Sequence, residues 1–460
     1  MGMVLGESTD QTIRRAPRST TDMRADDIPE GPRHLLRALR HRNYRLFFIG
    51  QLISVSGTWM QSVAQSWLVY RLTGSAVWLG VVSFVALLPV FALAPLGGAL
   101  ADRRRRHRII LITQCLSMAL ALTLGVLTLS GRIELWQVLT LASALGVVNA
   151  ADIPARQAFV VELVGKQDLL NAIALNSSVF NMARIVGPAL AGLIVAAVGE
   201  GWCFIANGLS YIIVIAALLR MRLPPPSPTE IAEPLLRHLA GGFRYVRATP
   251  PVRALLLLLG LMSVMAMPYT VLMPIFAGDI LHGGPNSLGI LMAASGIGAL
   301  SGALLLAARR GATGLGSWVL GAAAGLGVSL ILFAHSRQLW LSVLLLVPVG
   351  FCMMVQMASS NTLIQVMVPD HLRGRVMAIY SMMFMGMAPF GALFAGTVAS
   401  RLSAPATVTI GGVACLGAAA LFGRRLPALR AQARALIIGE QMVGGDPPQQ
   451  LTGSGIKRDT

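Results

Sequence analysis

Few ionisable side chains fall inside the apolar runs of this chain, and those few are the first candidates for chemistry. Arg184 lies in the middle of the run 170–198, too deep for its side chain to reach either end. Wound as a helix at about 100° per residue, Ser177, Asn181 and Arg184 share one face. An intramembrane guanidinium there can bind an anionic group of a ligand, or pair structurally with Asp152 on the preceding run. Asp152 is itself the best candidate for a group that takes up and releases a proton, and a structural ion pair explains it equally well. A third constellation is a polar stripe: Gln51, Ser54, Thr58, Gln61 and Gln65 fall within an arc of about 80° on one helix. Amides gain nothing by facing hydrocarbon, so this stripe lines either a helix contact or a cavity. Gln356, Ser359, Ser360 and Asn361 form a second polar patch. Tyr269 and Met273, with Tyr380 in YSMMFMGM at 380–387, suggest a soft methionine-rich wall suited to varied ligands.

Absences narrow the chemistry. No GxxxxGK[ST] loop is present, since Gly165-Lys166 is followed by Gln. No HExxH, nucleophile elbow or Cys/His cluster appears, and the four cysteines stand singly in separate runs. Neither a cofactor, a metal ion nor an enzymatic reaction is expected.

The elements that must position these residues are membrane helices. Hydrophobic residues make up 55% of the 460 and charged ones 12%, with a mean hydropathy of +0.69, against about a quarter charged in soluble proteins. Twelve apolar runs are long enough to cross a bilayer: 44–70, 76–100, 109–129, 134–155, 170–198, 202–220, 254–277, 287–307, 315–334, 339–363, 376–400 and 404–422. Runs this continuous read as helices and not as alternating strands, so the fold class is an all-α membrane protein. The net charge of +18 raises the question of nucleic acid. Its placement answers it: of the 37 Lys and Arg, all but Arg71, Arg132, Arg337, Arg401 and the intramembrane Arg184 fall on one side of the alternating topology. That bias is the positive-inside rule, and it predicts cytoplasmic termini in a multi-pass cell-membrane protein that meets anionic lipid and no nucleic acid. The polar, Arg-rich first forty residues lack the apolar core of a cleavable signal.

The Pro-rich stretch RMRLPPPSPTEIAEPLLRHLAGGFRYVRATPP at 220–251 divides the spans six and six. The expected organisation is a disordered basic tail (1–42), a first six-helix bundle (43–220), a cytoplasmic Pro-rich and amphipathic linker (221–252), a second bundle (253–423) and a disordered tail (424–460). The halves resemble each other. GGALAD at 97–102 answers SGALLL at 301–306 with Gly98 opposite Gly302, an offset of 204 residues (302 − 98). GPALAG at 187–192 meets GALFAG at 391–396 at the same offset. An even number of spans precedes the second half, so the repeat is parallel, about an axis along the membrane normal.

The segment GALADRRRRHR at 98–108 resembles the loop signature of the major facilitator superfamily, Gly-x-x-x-Asp-Arg-x-Gly-Arg-Arg, with Arg105 standing where a glycine is usual. GTWMQSVAQSWLVYRLTGSA at 57–76 and DIPARQAFVVELVGKQDLLNAIALNSSVFNMARIVGPALAG at 152–192 are similar to the branch that contains the enterobactin exporter and macrolide efflux pumps. The resemblance implies the major facilitator fold: twelve transmembrane helices in two six-helix bundles related by a pseudo-two-fold along the membrane normal. It implies a secondary transporter, functional as a monomer, that exports a drug-like compound or siderophore in exchange for protons. It also implies a gate. Gly98 lets helix ends approach, and Asp102 accepts hydrogen bonds from the start of span eleven, PDHLRGR at 369–375, where Asp370 would cap the helix. Arg103 and Arg106 would clamp nearby acids such as Glu162 and Asp152. Gly187, Pro188 and Gly192 resemble the Gly-Pro signature of proton-driven antiporters, with Ala191 replacing one glycine, and imply a helix bend. The same scaffold also runs uptake by symport or uniport, or serves a membrane sensor.

Overall fold

The computed structural model describes residues 36–165, 167–223, 235–309, 311 and 314–443, so positions 1–35 of the expected tail 1–42, the Pro-rich run 224–234 and the segment 444–460 lie outside the described residues. Every regular element among the described residues is helical. The first bundle is built from α1 (Arg42–Thr73), α2 (Ala76–Arg103), α3 (Arg106–Leu129), α4 (Leu135–Val164), α5 (Leu169–Val198) and α6 (Glu200–Leu219). The surface helix α7 (Leu235–Ala248) occupies the amphipathic part of the linker. The second bundle comprises α8 (Pro250–Ile280), α9 (Pro285–Ala307), α10 (Leu315–His335), α11 (Leu339–Met367), α12 (Asp370–Arg401) and α13 (Ala404–Val443). Eleven of these helices are long and apolar enough to cross a membrane. The twelfth, α1, has ample length at 32 residues, and its polar stripe lowers its hydropathy. Two helices are irregular. A turn ending at Pro268 interrupts α8, which carries Pro274 in its second part and ends in the π turn Phe276–Ile280, and α12 carries a π turn at Met382–Gly386.

The ends of the expected units shift. α13 continues to Val443, past position 423 where a disordered tail was expected to begin. Leu426, Leu429 and Ala433, spaced at helical intervals, pack on the second core, while Arg424, Arg425, Arg430 and Arg434 stay exposed. At the other terminus, residues within the expected tail 1–42 are docked. Arg37–Arg40 form a 3-10 turn held by the buried Asp168, which pairs with Arg37 (2.6 Å), Arg40 (2.8 Å) and His41 (2.7 Å). The hydrogen bond from His41, with the two arginines, holds the Asp168 carboxyl below its usual range. Because that value is depressed, the contact persists above the ordinary carboxylate range and is lost only as pH falls through the lowered one.

The two bundles meet along two seams, α5 against α9 and α2 against the second half of α12. Both depend on glycine. A side chain at Gly192 would come within 3.1 Å of the Gly289 Cα and 3.0 Å of the Pro285 carbonyl. One at Gly396 would come within 3.0 Å of the Gly80 Cα. Gly192 and Gly396 are repeat partners at the 204-residue offset, and so are Gly187 and Gly391. Gly187 packs on Trp59 and Ser56 of α1, and Gly391 on Ser263 and Val264 of α8, where Ser263 is the repeat partner of Trp59. The internal repeat is therefore a repeat of contacts as well as of letters. Pro188 does not break α5, which runs from Leu169 to Val198.

Seam contacts lie toward the end where α1 finishes and α2 begins, here termed the far end. There the Tyr70 hydroxyl of α1 also donates to Asp279 of α8 at 2.6 Å. At the opposite, basic end the bundles part: Leu96, Leu100 and Leu170 are exposed, and nothing lies within 4 Å of a side chain placed on Gly98. Overpacking a close contact costs about 1–3 kcal/mol, so Gly192→Leu is expected to open the far end. In a cysteine-free background, labelling of Val195→Cys, buried on the seam face of α5, by a hydrophilic maleimide should rise at least fivefold. An unchanged rate would show that the seam does not depend on glycine.

Candidate functional site: a cavity between the bundles

Between the bundles lies a cavity of about 540 Å³, within the range that holds a drug-sized ligand. The first bundle contributes Thr58, Trp59, Gln61 and Gln65 from α1, Phe180 and Arg184 from α5, and Asn207 and Tyr211 from α6. The second contributes Met267 and Tyr269 at the break in α8, Met292 and Ser295 from α9, and a methionine wall of Met353, Met354 and Met357 from α11. Phe384, in the π turn of α12, completes it.

The polar stripe on α1 divides its work between packing and the cavity. Asn207 donates to the Gln61 Oε1 at 2.6 Å, and the Ser210 hydroxyl bonds Asn207 in turn, tying α1 to α6. Gly57 leaves the space this amide needs, since the Asn207 side chain fills the position a Cβ would take. The hydroxyls of Thr58 and Tyr211 are 3.5 Å apart. Gln65 remains at the cavity wall. Across the cavity, the hydroxyls of Tyr269 and Ser295 share a hydrogen bond of 2.6 Å. Arg184 lies over the Trp59 ring, 5.9 Å from its centroid, and beside the Tyr269 hydroxyl.

Asp152 does not pair with Arg184. Its partner is Arg156, one turn along the same helix, in an ion pair whose carboxylate is buried and whose guanidinium is half-buried. The Asp152 Oδ1 also accepts hydrogen bonds from Thr113 (2.7 Å) and Gln114 (3.2 Å) of α3. Arg156 donates to Gln51 of α1 at 2.8 Å. Three helices thus converge on one ion pair, and Gln51 belongs to this cluster and not to the cavity wall. The pairing was hidden because span four was expected to end at 155; α4 runs to Val164 and carries Arg156 inside it. Asp-x-x-x-Arg on one helix face was the signal available.

Other expected site residues also stand elsewhere. Asn181 lies one turn from Arg184, and its amide is spent on the Ser177 carbonyl. Gln356 is buried against Ser360, 3.3 Å away within α11. The Tyr380 hydroxyl donates to the Met357 carbonyl at 3.1 Å, so it braces the methionine wall from behind. None of the three lines the cavity. At the basic end, Arg106 pairs with Glu162 at 2.6 Å and lies 3.9 Å from Asp102. Arg103 and Asp102 are exposed. Asp370 is the first residue of α12, with Pro369 at the cap position and no side-chain cap bond; it pairs with Arg373. The first turns of α12 pack on α7 and α11, so Asp102 and α12 are apart in this conformation.

Two helical bundles with a repeated contact plan and a cavity between them define a transporter of the major facilitator type. Residues 35–443 match the family described as transmembrane secretion effector, and the chain belongs to it. It is 26% identical over 377 residues to the staphyloferrin A transporter of Staphylococcus aureus, covering 81% of this chain and 93% of that one. It is 29% identical over 371 residues to the multidrug efflux pump Tap of Mycolicibacterium fortuitum, covering 79% and 90%. To the enterobactin exporter EntS of Escherichia coli it is 25% identical over 376 residues, covering 82% and 90%. Among solved structures, it superposes with a TM-score of 0.62 on an inward-facing, unoccupied bacterial homologue of the human lysosomal transporter Spinster, at 16% identity and 90% and 96% coverage. A POT family transporter in complex with a thioalcohol-conjugated peptide gives 0.68 at 10% identity, covering 84% and 96%. At these identities the structural likeness is one of fold.

Removing one partner of a buried ion pair costs about 3–5 kcal/mol, whereas replacing both by apolar groups is often neutral. Arg156→Leu is therefore expected to lower the melting temperature in detergent, and Asp152→Leu with Arg156→Leu to restore most of it. A double variant as unstable as the single one would contradict the pairing.

Proposed function

We propose that the protein is a secondary exporter of small molecules that works by alternating access as a monomer in the cell membrane. The observation that carries this reading is a cavity between two bundles that two glycine seams hold together at the far end. The distribution of Lys and Arg supports assigning the basic end, with both termini, to the cytoplasm. Relatives named as an enterobactin exporter and a multidrug efflux pump support the outward direction. On this reading a cytoplasmic compound enters the cavity, the seams part, and the basic end closes behind it. Asp102 then meets the N-terminal turn of α12 near Asp370, where free backbone N–H groups favour a carboxylate. Arg106, already on Glu162, holds the α2–α3 loop in place for that contact, and Gly98 gives it room.

Protons are the proposed counter-ion and Asp152 the group that carries them. A proton on Asp152 would release Arg156, and with it the link to Gln51 of α1. Binding and release would thus alter how α1, α3 and α4 are held together. Occupancy then shifts the balance between the two openings by differential affinity.

The test is export from proteoliposomes with an internal pH dye. Asp102→Asn is expected to cut export about tenfold at equal abundance, the scale of one charge-assisted hydrogen bond. Asp152→Asn is expected to abolish proton movement triggered by a transported compound. Full export by the first variant would remove the gate role, and proton flux persisting in the second would remove Asp152 from coupling.

A further inference from the structure

We propose that the cargo of this cavity is an amphiphilic organic anion, whose carboxylate, sulfonate or similar oxyanion binds Arg184 while its apolar body lies on the aromatic and methionine walls. The inference rests on the transporter reading above and adds a substrate class to it.

Charge inventory is the first support. Among the described residues that line the cavity, Arg184 alone carries a Lys, Arg, His, Asp or Glu side chain. It has no ion-pair partner among the described residues. The acid expected to serve it, Asp152, is taken by Arg156 and by two donors from α3. The groups facing Arg184 are the Trp59 ring and the hydroxyl of Tyr269, neither of which neutralises a charge at neutral pH. A cationic ligand would meet an uncompensated like charge at short range in a site with apolar walls, where charges are weakly screened. An oxyanion supplies what the site lacks.

Geometry is the second. A guanidinium offers a planar fork of donors matched to two oxygens of a carboxylate or sulfonate. The Trp59 ring covers the guanidinium from one side, 5.9 Å from Cζ to the ring centroid. Around it, Phe180 and Phe384 supply flat apolar surface, and Met292, Met353 and Met357 supply walls that adapt to shape. The oxyanion and the apolar body therefore have separate places within one volume.

The experiment uses full-length protein in nanodiscs and three naphthylamine probes of similar size, with empty nanodiscs as the blank. The probes are 8-anilinonaphthalene-1-sulfonate (anionic), N-phenyl-1-naphthylamine (neutral) and a trimethylammonium-substituted naphthylamine (cationic). Binding is measured in 0.5 M salt, which screens the exposed basic loops. The wild type is expected to bind the sulfonate at least tenfold more tightly than the neutral probe, and the cation least. Arg184→Gln should remove that tenfold preference, Arg184→Lys should keep part of it, and Arg401→Gln, at the far end, should leave it intact. A wild type that binds the three probes equally, or the cation best, overturns the proposal without need of any variant. A sulfonate preference that survives in a folded Arg184→Gln protein also overturns it. Arg184-dependent sulfonate binding without transport in proteoliposomes would uphold the substrate class while removing the exporter reading. Export of neutral or cationic compounds unaffected by Arg184→Gln would do the reverse.

Discussion

A guanidinium inside a hydrocarbon slab has to be neutralised or hydrated, and the first bundle holds two that meet this demand differently. Arg156 is neutralised by Asp152, and the remaining donors and acceptors around the pair draw in Thr113, Gln114 and Gln51. That cluster is what binds α1, α3 and α4 toward the basic end. Arg184 has no such partner and faces the cavity instead. One charge thus ties the bundle together and the other is left to the cavity, and the division follows from Arg156 standing one turn from Asp152. Were Asp152 free to serve Arg184, the cavity would be electrically neutral and α4 would lose its ion pair.

Rocking of two bundles needs contacts that are close yet easily broken, and glycine seams fit that need. Backbone against backbone at Gly192–Gly289 and Gly80–Gly396 gives dense packing without interlocked side chains. The repeat duplicates this device on both sides of the cavity, so closure at the far end is balanced across the axis. The irregular stretches in α8 and α12 lie beside the cavity, at Tyr269 and Phe384. Elsewhere the helices are continuous through their lengths, and the breaks place side chains where a straight helix would not.

The spans, the parallel repeat and the fold class were legible because hydrocarbon imposes length and polarity so strictly that the letters must obey. Thr58, Gln61, Gln65, Arg184 and Tyr269 were legible for the same reason: a polar or aromatic-polar group in such a run needs a partner or water. Which partner it finds is a three-dimensional matter. Gln51 and Gln356 read like cavity residues and are committed to Arg156 and Ser360. Asn149 and Asn207, isolated amides outside any stripe, line the cavity without having announced themselves. Trp59 and Phe180 belong to no pattern in the sequence, and the fold sets Trp59 beside both Arg184 and Phe180. The contact expected between Asp102 and span eleven is not present in this conformation, where the first turns of α12 pack on α7 and α11.

The most direct test of the account is the distance between the bundles at both ends, measured by pulsed electron resonance in nanodiscs. One spin-label pair at Leu170 and Arg373 reports the basic end, and another at the repeat partners Trp136 and Trp340 reports the far end. Titrating an anionic ligand or protons is predicted to shorten the first distance and lengthen the second within the same sample. Distances that stay fixed, or that move in the same sense at both ends, would contradict alternating access about this cavity.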